Sequence, residues 1–338
     1  MAHTGLVFRV AILVFTSVVL VLTTAQVGTP AASGEQRVIE FKGGGTDPVN
    51  SPCDQMMQRF AKALAERTQN KIKLTYFAGA QLGGERDIVE GVQLGTVGLA
   101  VTGVTSHRVW DALWLPYVFR DRAHMWKVLR GPIGEEWNQV MPQERKIRVS
   151  GYAYRSPRNL TTSKVKVTKA ADLKGLKVRV PEIEGEIIGW RAMGANPTPM
   201  PWPEVLTSLQ SGIIDGQENP YETMHSNRMW EVQKYIHLTE HIRMAWTVLL
   251  DDKIWQRITP TNQKIMADTW KEAADWLEQS TISREQEYLE TFKKNGMIIV
   301  QPPELNIQSF RDASKDAWKQ VTPKAWGPGV YERVQATK

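Results

Sequence analysis

The chain has 338 residues, of which 42% are hydrophobic, and its 42 lysine and arginine residues exceed its 36 aspartate and glutamate residues for a net charge of +6. This composition excludes a disordered chain, and the scattered placing of the basic residues argues against a nucleic-acid partner. Cys53 is the only cysteine, so the chain forms no internal disulfide and depends on its hydrophobic core for stability.

The first 25 residues predict a cleaved secretory signal peptide. A single charged residue, Arg9, precedes an apolar run from Val10 to Leu22, and small residues suited to a cleavage site follow. The run is short for a membrane span, although an uncleaved anchor is the alternative. Residues 26–35 are rich in glycine, proline, alanine and serine and predict a flexible leader.

A βαβ unit is predicted at the start of the mature chain. A strand over residues 38–41 leads to the triple glycine 43–45, a helix capped at Asn50 or Ser51 follows, and a second strand alternates over residues 71–76. Such a unit predicts parallel strands with a right-handed crossover. The triple glycine has neither dinucleotide nor Walker spacing, so we interpret it as a tight turn or a close backbone approach to a ligand.

The following elements predict the passage of the chain into a second lobe. Residues 87–94 form the next predicted helix, which Gly95 ends, and residues 97–101 form a buried strand. Residues 149–154 are predicted to be the strand that crosses into the second lobe.

A strand in the centre of the chain presents an arginine of particular interest. Residues 176–180 alternate between apolar and basic side chains, which predicts that Arg179 points away from the buried face. Pro181 ends the strand, so Arg179 lies at its carboxyl end, where open α/β sheets bind their ligands. A guanidinium there matches a carboxylate in two parallel hydrogen bonds. The alternative is an ordinary solvent-exposed arginine.

A long helix is predicted over residues 260–294. It starts at Thr259 and Pro260, keeps an apolar stripe and ends at Asn295 and Gly296. At about 1.5 Å per residue it would span roughly 50 Å, which exceeds one small domain, so we expect it to lie across both lobes. Residues 310–338 are predicted to add short helices to the second lobe.

Several motifs, taken together in their order and spacing, resemble a known family. These motifs are Tyr76–Gly83, Leu115–Asp121, Tyr154–Ser163, Asp172–Pro181, Gly194–Val205, Leu209–Tyr221 and Glu231–Tyr235. Through them nearly the whole mature chain resembles the DctP-type solute-binding proteins of tripartite ATP-independent periplasmic (TRAP) transporters. The resemblance implies a two-lobed α/β periplasmic binding protein, similar to type II, with a long helix spanning both lobes.

The same resemblance implies a domain organisation and a function. Domain I would hold residues 36–155 plus 245–284, and domain II residues 156–244 plus 285–338. The protein would be a periplasmic monomer that captures an organic acid and delivers it to the membrane subunits of a TRAP transporter. An ion gradient would drive transport without ATP, and the family uses no cofactor and no metal.

The resemblance also carries binding roles onto individual residues. Arg158 and Arg179 match arginines that face the ligand carboxylate. Trp202 matches an aromatic residue that covers the ligand's apolar face, with interdomain packing as the alternative. Asn219 matches an asparagine that holds the carboxylate or a neighbouring hydroxyl. Weaker candidates for hydroxyl contacts are Glu85, Glu182 and Tyr221. These polar candidates favour a hydroxylated acid, such as a sugar acid, over a plain dicarboxylate.

One match points to an enzyme instead. His237, Glu240 and His241 fit the H-x-x-E-H pattern of zinc proteases. The residues around them predict a strand, which would separate the two histidines, and no third ligand is evident. The chain has no G-x-S-x-G elbow, so no catalytic residue is assigned and we expect a binding protein. The alternatives are a receptor for another transporter or a sensor, and a secreted zinc-dependent hydrolase.

Overall fold

Two β-sheets organise residues 37–338, the part of the chain that the computed structural model describes. The predicted signal peptide (1–25) and leader (26–35) lie outside the described residues. Within residues 37–338, no helix is both long and apolar enough to cross a membrane.

Strands and helices alternate along the chain as in other mixed α/β proteins. The strands are β1 (Ile39–Gly44), β2 (Ile72–Phe77), β3 (Leu99–Thr102), β4 (Ile147–Ala153), β5 (Arg158–Thr162), β6 (Lys177–Val180), β7 (Asn196–Pro199), β8 (Gly216–Asn219), β9 (Tyr235–Ile242), β10 (Trp246–Asp251) and β11 (Ile298–Val300). The helices are α1 (Pro52–Arg67), α2 (Glu85–Leu94), α3 (Arg108–Asp111), α4 (Arg122–Leu129), α5 (Pro132–Asn138), α6 (Val140–Arg145), α7 (Glu184–Ala192), α8 (Val205–Gln210), α9 (Tyr221–Ser226), α10 (Asp252–Arg257), α11 (Pro260–Lys294), α12 (Ile307–Trp326) and α13 (Val330–Ala336).

The first sheet contains the predicted βαβ unit. Its strand order is β2-β1-β3-β10-β4, and β1 runs parallel to both β2 and β3. Helix α1 begins where Ser51 Oγ accepts a hydrogen bond from Asp54 N at 3.2 Å, and its apolar face is buried against the sheet. Gly45 lies so close to β2 that an added Cβ would be 2.2 Å from the Tyr76 hydroxyl oxygen. The predicted parallel pairing is confirmed. The close neighbour at the triple glycine is a side chain of the protein, so the predicted approach to a ligand stays a prediction.

The second sheet places Arg179 as the alternation predicted. Its strand order is β11-β9-β5-β8-β6-β7, and β6 runs parallel to β7 and β8. Val178 and Val180 are completely buried in an apolar cluster that includes Leu160 and Trp190. Because successive side chains of a strand point to opposite faces, Arg179 faces away from this cluster.

The chain crosses between the two sheets three times. Residues 154–157 connect β4 to β5, and residues 243–245 connect β9 to β10. Helix α11 makes the third crossing: Trp270 packs in the apolar cluster of the first sheet, and Phe292 packs in a cluster of the second. The predicted two-lobed fold with a helix across both lobes is therefore confirmed.

The C-terminal segment differs from the prediction. Helix α12 has 20 residues, so the expectation of short helices only is wrong. Phe310 at its start packs in the cluster of the second sheet, whereas the Trp326 indole at its end donates to the Val109 carbonyl at 2.8 Å. Arg333 of α13 pairs with Glu136 at 2.7 Å. These contacts reach residues that the predicted division assigns to domain I.

Candidate ligand-binding cleft

One cleft brings together side chains from both sheets and from the connection between them. Its lining residues are Thr46, Asp47, Glu85, Val104, Trp114 and Trp246 on the first sheet's side, Arg155 on the connection, and Arg158, Arg179, Pro181, Trp202, Asn219 and Thr223 on the second sheet's side. Four of the predicted binding residues, together with Glu85, therefore line one site. The cleft is distinguished by three buried arginines.

Arg179 contributes a buried positive charge to this cleft. Its side chain is only 3% exposed, which excludes the solvent-exposed alternative. Its Nε and Nη2 donate to the Met200 carbonyl at 3.1 and 2.7 Å, and its guanidinium carbon lies 5.5 Å from the Trp202 ring centroid. Burial lowers the pKa of Arg179 to about 10, so the group remains protonated at neutral pH. Among residues 37–338 no carboxylate forms an ion pair with it.

Arg158 is engaged more tightly with the protein itself. Its Nε and Nη2 each donate to a carboxylate oxygen of Glu218 at 2.5 Å, and Nη2 also donates to the Glu218 carbonyl at 2.8 Å. Burial acts to raise the pKa of Glu218, but the charge and hydrogen bonds of Arg158 outweigh it and lower this pKa to about 2. Arg158 lines the cleft as predicted, but only Nη1 remains for a ligand. Its proposed contact with the ligand carboxylate stays a prediction.

A second carboxyl group completes the network beneath the arginines. Glu186 is completely buried, lies 3.9 Å from Arg158, and both of its oxygens lack a hydrogen-bond partner among the described residues. Burial, and then the neighbouring charge of Glu218, raise the pKa of Glu186 well above its ordinary value. His241 Nε2 lies 3.2 Å from Glu218. The cluster thus holds one acid whose pKa is lowered by its pairing with Arg158 beside another whose pKa is raised by burial.

Arg155 and Asp47 are cleft residues that sequence reasoning missed. Arg155 is 6% exposed, and its guanidinium carbon lies 3.6 Å from the Trp246 ring centroid. Asp47 is 7% exposed, and burial raises the pKa of its carboxyl group to about 7 against the opposing effect of Arg155. Arg155 lies within the motif Tyr154–Ser163, and Asp47 follows the triple glycine. Their positions in these two segments were the only sequence features that could have identified them as cleft residues, because neither residue is distinguished by the periodicity of its neighbours.

The remaining predicted residues fall in different places. Glu85 Oε1 accepts from Gly103 N at 2.7 Å, which fixes its carboxylate at the cleft. The Asn219 amide donates to Gln217 Oε1 at 2.6 Å. Glu182 lines an adjoining cavity rather than the cleft. Tyr221 packs in the core of the second lobe with Phe292 and does not line the cleft, because it sits on the inward face of α9.

The two histidines of the zinc pattern contact different partners. Both lie on β9, as the alternation predicted. His237 Nε2 accepts from Val167 N at 2.9 Å, whereas His241 contacts Thr239 Oγ1 and Glu218. In the part of the chain described, the group of side chains close enough to hold a metal is Glu186, Glu218 and His241, which does not include His237. Arg158 already occupies both oxygens of Glu218, and its charge disfavours a cation there.

Metal analysis tests the zinc alternative directly. We expect purified protein to carry much less than one zinc per chain. His237 and His241 contact different partners, and no free third side chain lies close enough to both, among the described residues, to complete a zinc site. Inductively coupled plasma mass spectrometry after overnight exposure to equimolar zinc checks this expectation. About one zinc per chain that is lost in His237→Asn and in His241→Asn would support the hydrolase.

Comparisons with known proteins agree with this geometry. The model of the family "Bacterial extracellular solute-binding protein, family 7" (DctP) matches residues 44–324. A solute-binding protein of Roseobacter denitrificans is 36% identical over 266 residues, 77% of this chain and 79% of that protein, and its structure with bound L-galactonate has a TM-score of 0.81, covering 89% of this chain and 100% of that chain at 30% identity. The 2,3-diketo-L-gulonate-binding periplasmic protein YiaO of Escherichia coli is 30% identical over 260 residues, 76% of this chain and 78% of that protein. A TRAP periplasmic solute-binding protein from Polaromonas, bound to D-erythronate, has a TM-score of 0.83 at 31% identity and covers 88% of this chain and 99% of that chain.

Proposed function

The chain belongs to the DctP family of bacterial extracellular solute-binding proteins, and from this membership we propose that it captures a hydroxylated organic acid in the cleft described above. The observation that carries the proposal is Arg179, a buried guanidinium whose protein partner is a backbone carbonyl rather than a carboxylate. A buried charge without a counter-ion is costly, and a ligand carboxylate would supply the missing partner. Trp202 beside it offers an apolar surface for the carbon chain of the ligand.

The lining of the cleft favours a hydroxylated acid over a plain dicarboxylate. Glu85 and Asp47 face the same space as the arginines, and carboxylates accept hydrogen bonds from hydroxyl groups. The relatives whose structures hold L-galactonate and D-erythronate bind acids of this kind. A sugar acid with a single carboxylate therefore fits the site.

The proposed role places the protein in the periplasm, where it would hand the acid to the membrane subunits of a TRAP-type secondary transporter. Removal of the predicted signal peptide would leave a chain in which Arg9 is gone and 41 basic residues face 36 acidic ones. That excess favours the approach of an anionic solute. We propose a monomer with no cofactor, acting by binding rather than catalysis. Uptake of the identified acid by reconstituted membrane subunits, dependent on an ion gradient and independent of ATP, tests the delivery step.

A ligand screen tests the proposed function. We expect an aldonate or uronate to raise the melting temperature, because a ligand that binds only the folded state stabilises it by about 4 kcal/mol at 1,000 times its Kd. Differential scanning fluorimetry with aldonates, uronates, keto acids and C4-dicarboxylates provides the measurement. Hits confined to C4-dicarboxylates would contradict the hydroxylated class, and the absence of any hit among the acids would contradict the function.

Closure of the two lobes around the ligand is a further expectation. We propose that domains 36–155 plus 245–284 and 156–244 plus 285–338 move about the three crossings. At the adjoining cavity Arg86 Nη2 donates to the Glu182 carbonyl at 2.8 Å, a contact between the proposed domains that is formed in this structure and that opening would break. Small-angle scattering should show a smaller radius of gyration at saturating ligand.

Because Arg86 and Glu182 are exposed to solvent, Arg86→Ala should weaken ligand binding only about threefold. An unchanged scattering curve despite proven binding would argue for a rigid cleft.

A further inference from the structure

The cleft adjoins a second cavity, and part of the lining is common to both. Arg179 lines both spaces, whereas Arg86 and Glu182 line only the adjoining cavity, and Asp47 and Arg155 line only the cleft, in the part that we call its inner end. The carboxylate of a bound acid would pair with Arg179 under the proposed function, on which this inference rests. The far end of the same ligand would then meet Asp47 and Arg155.

Polar atoms at the inner end lack partners. The side chain of Asp47 lines this end of the cleft and is only 7% exposed. The buried Arg155 Nε and the buried Trp114 Nε1 have no acceptor within reach among residues 37–338. Arg155 Nη2 makes a long hydrogen bond to Thr223 Oγ1 at 3.5 Å. Buried polar groups are nearly always hydrogen-bonded, so these two donors, Arg155 Nε and Trp114 Nε1, point to an acceptor supplied by the ligand.

The chemistry of these atoms distinguishes between candidate groups. Asp47 offers acceptors, whereas Arg155 and Trp114 offer donors. A hydroxyl group both donates and accepts, so vicinal hydroxyls satisfy both sides at once. A second carboxylate can only accept, and it would oppose the ionisation of Asp47, whose pKa of about 7 leaves the group partly ionised at neutral pH. Two like charges that lie close together in a buried site lower the binding affinity, from several-fold to many-fold.

We propose that Asp47, with Arg155 as its partner, determines specificity by selecting an acid whose far end carries hydroxyls and rejecting one whose far end is a second carboxylate. Asp47 accepts from the terminal hydroxyls, and Arg155 and Trp114 donate to their oxygens. The site therefore admits aldonates and excludes the aldarates of equal length.

Pairs of acids that differ at one terminal carbon test this inference. D-gluconate and D-glucarate, L-galactonate and galactarate, and D-erythronate and meso-tartrate each exchange a CH₂OH group for a carboxylate. Isothermal titration calorimetry on the mature chain should find an aldonate as the tightest ligand, with its aldarate about 100-fold weaker. In Asp47→Asn the gap should fall to about tenfold or less, because the amide carries no charge and can donate to a carboxylate. Arg155→Gln should weaken the aldonate about tenfold or more.

Asp111→Asn is a matched control for Asp47→Asn. Burial also raises the pKa of Asp111 to about 7, but this residue does not line the cleft, so its substitution should leave the gap unchanged. Asp47→Ser serves as a second variant if the amide disturbs folding, which circular dichroism monitors. Equal binding of aldonate and aldarate by the unmodified chain, or an undiminished gap in the Asp47 variants, would overturn the inference while leaving capture of acids intact. If no acid of any pair binds, the proposed function falls as well.

Discussion

Replacing Arg179 with lysine is expected to weaken binding of the acid by about 2–3 kcal/mol, roughly 30- to 160-fold in Kd, and replacement with alanine should weaken it further. Lysine keeps the charge but loses the planar fork that matches a carboxylate. Alanine leaves the ligand carboxylate desolvated without a partner. Folding should survive in both variants, because the side chain faces away from Val178 and Val180 and its protein hydrogen bonds go to one carbonyl. Calorimetry measures the affinities, with circular dichroism as the fold control.

Arg130→Ala is the matched control for the loss of an arginine. Arg130 lies over the Trp126 ring at 3.7 Å, much as Arg179 lies over Trp202, but it is remote from the cleft lining. Its removal should leave affinity unchanged. Near-native affinity in folded Arg179→Ala would remove the central residue from the proposed function.

Glu218→Gln is expected to destabilise the fold by about 3 kcal/mol, whereas Glu186→Gln should cost less than about 1 kcal/mol. The first change leaves the buried guanidinium of Arg158 without its counter-ion. The second removes an acid whose raised pKa disfavours the ionised form, so a smaller loss of charge is expected. In Glu218→Gln, ionisation of Glu186, which lies 3.9 Å from Arg158, would replace part of the lost negative charge. The expected loss of stability is therefore at the lower end of the range for a broken buried ion pair. Urea denaturation of the three proteins gives the free energies of unfolding.

The same pair predicts a dependence on pH. The pKa of Glu218 falls from its ordinary 4.5 to about 2 in the folded state. The stability that this group contributes is therefore complete above pH 4.5 and is lost as the pH falls toward 2. The difference in unfolding free energy between the unmodified chain and Glu218→Gln should be constant from pH 5 to about 7 and shrink below pH 4.5. An equal effect of the two substitutions at neutral pH would contradict the opposite directions of the two pKa shifts.

This network also changes the expectation for Arg158. The resemblance matched Arg158, like Arg179, to an arginine that faces the ligand carboxylate. Both arginines are 3% exposed, so exposure does not separate them. Arg158→Ala would leave Glu218 without its cation and should reduce stability as well as affinity. Thermal unfolding and calorimetry on the same sample separate the two effects.

Local patterns in the sequence were sufficient to predict much of the fold and part of the cleft. The alternation over residues 176–180 places Arg179 opposite a buried face because the side-chain period of a strand is two, a property of the strand alone. The length of α11 follows from its caps and its stripe, and roughly 50 Å of helix is longer than either lobe. The resemblance to a family then located Arg158, Trp202 and Asn219 near the same site.

Only the tertiary structure decided how the charges of the cleft are paired. Glu218 reaches Arg158 across 60 residues because β5 pairs with β8, and His241 joins them because β9 pairs with β5 on the other side. Such contacts depend on strand order, which periodicity does not encode. The pKa values of Asp47 and Glu186 rise because other elements bury them, and burial is a property of the whole packed molecule. The sequence by itself thus determined that Arg179 faces away from the buried side of its strand. The packing of the strands determined which charged side chains of the cleft remain free to contact a ligand.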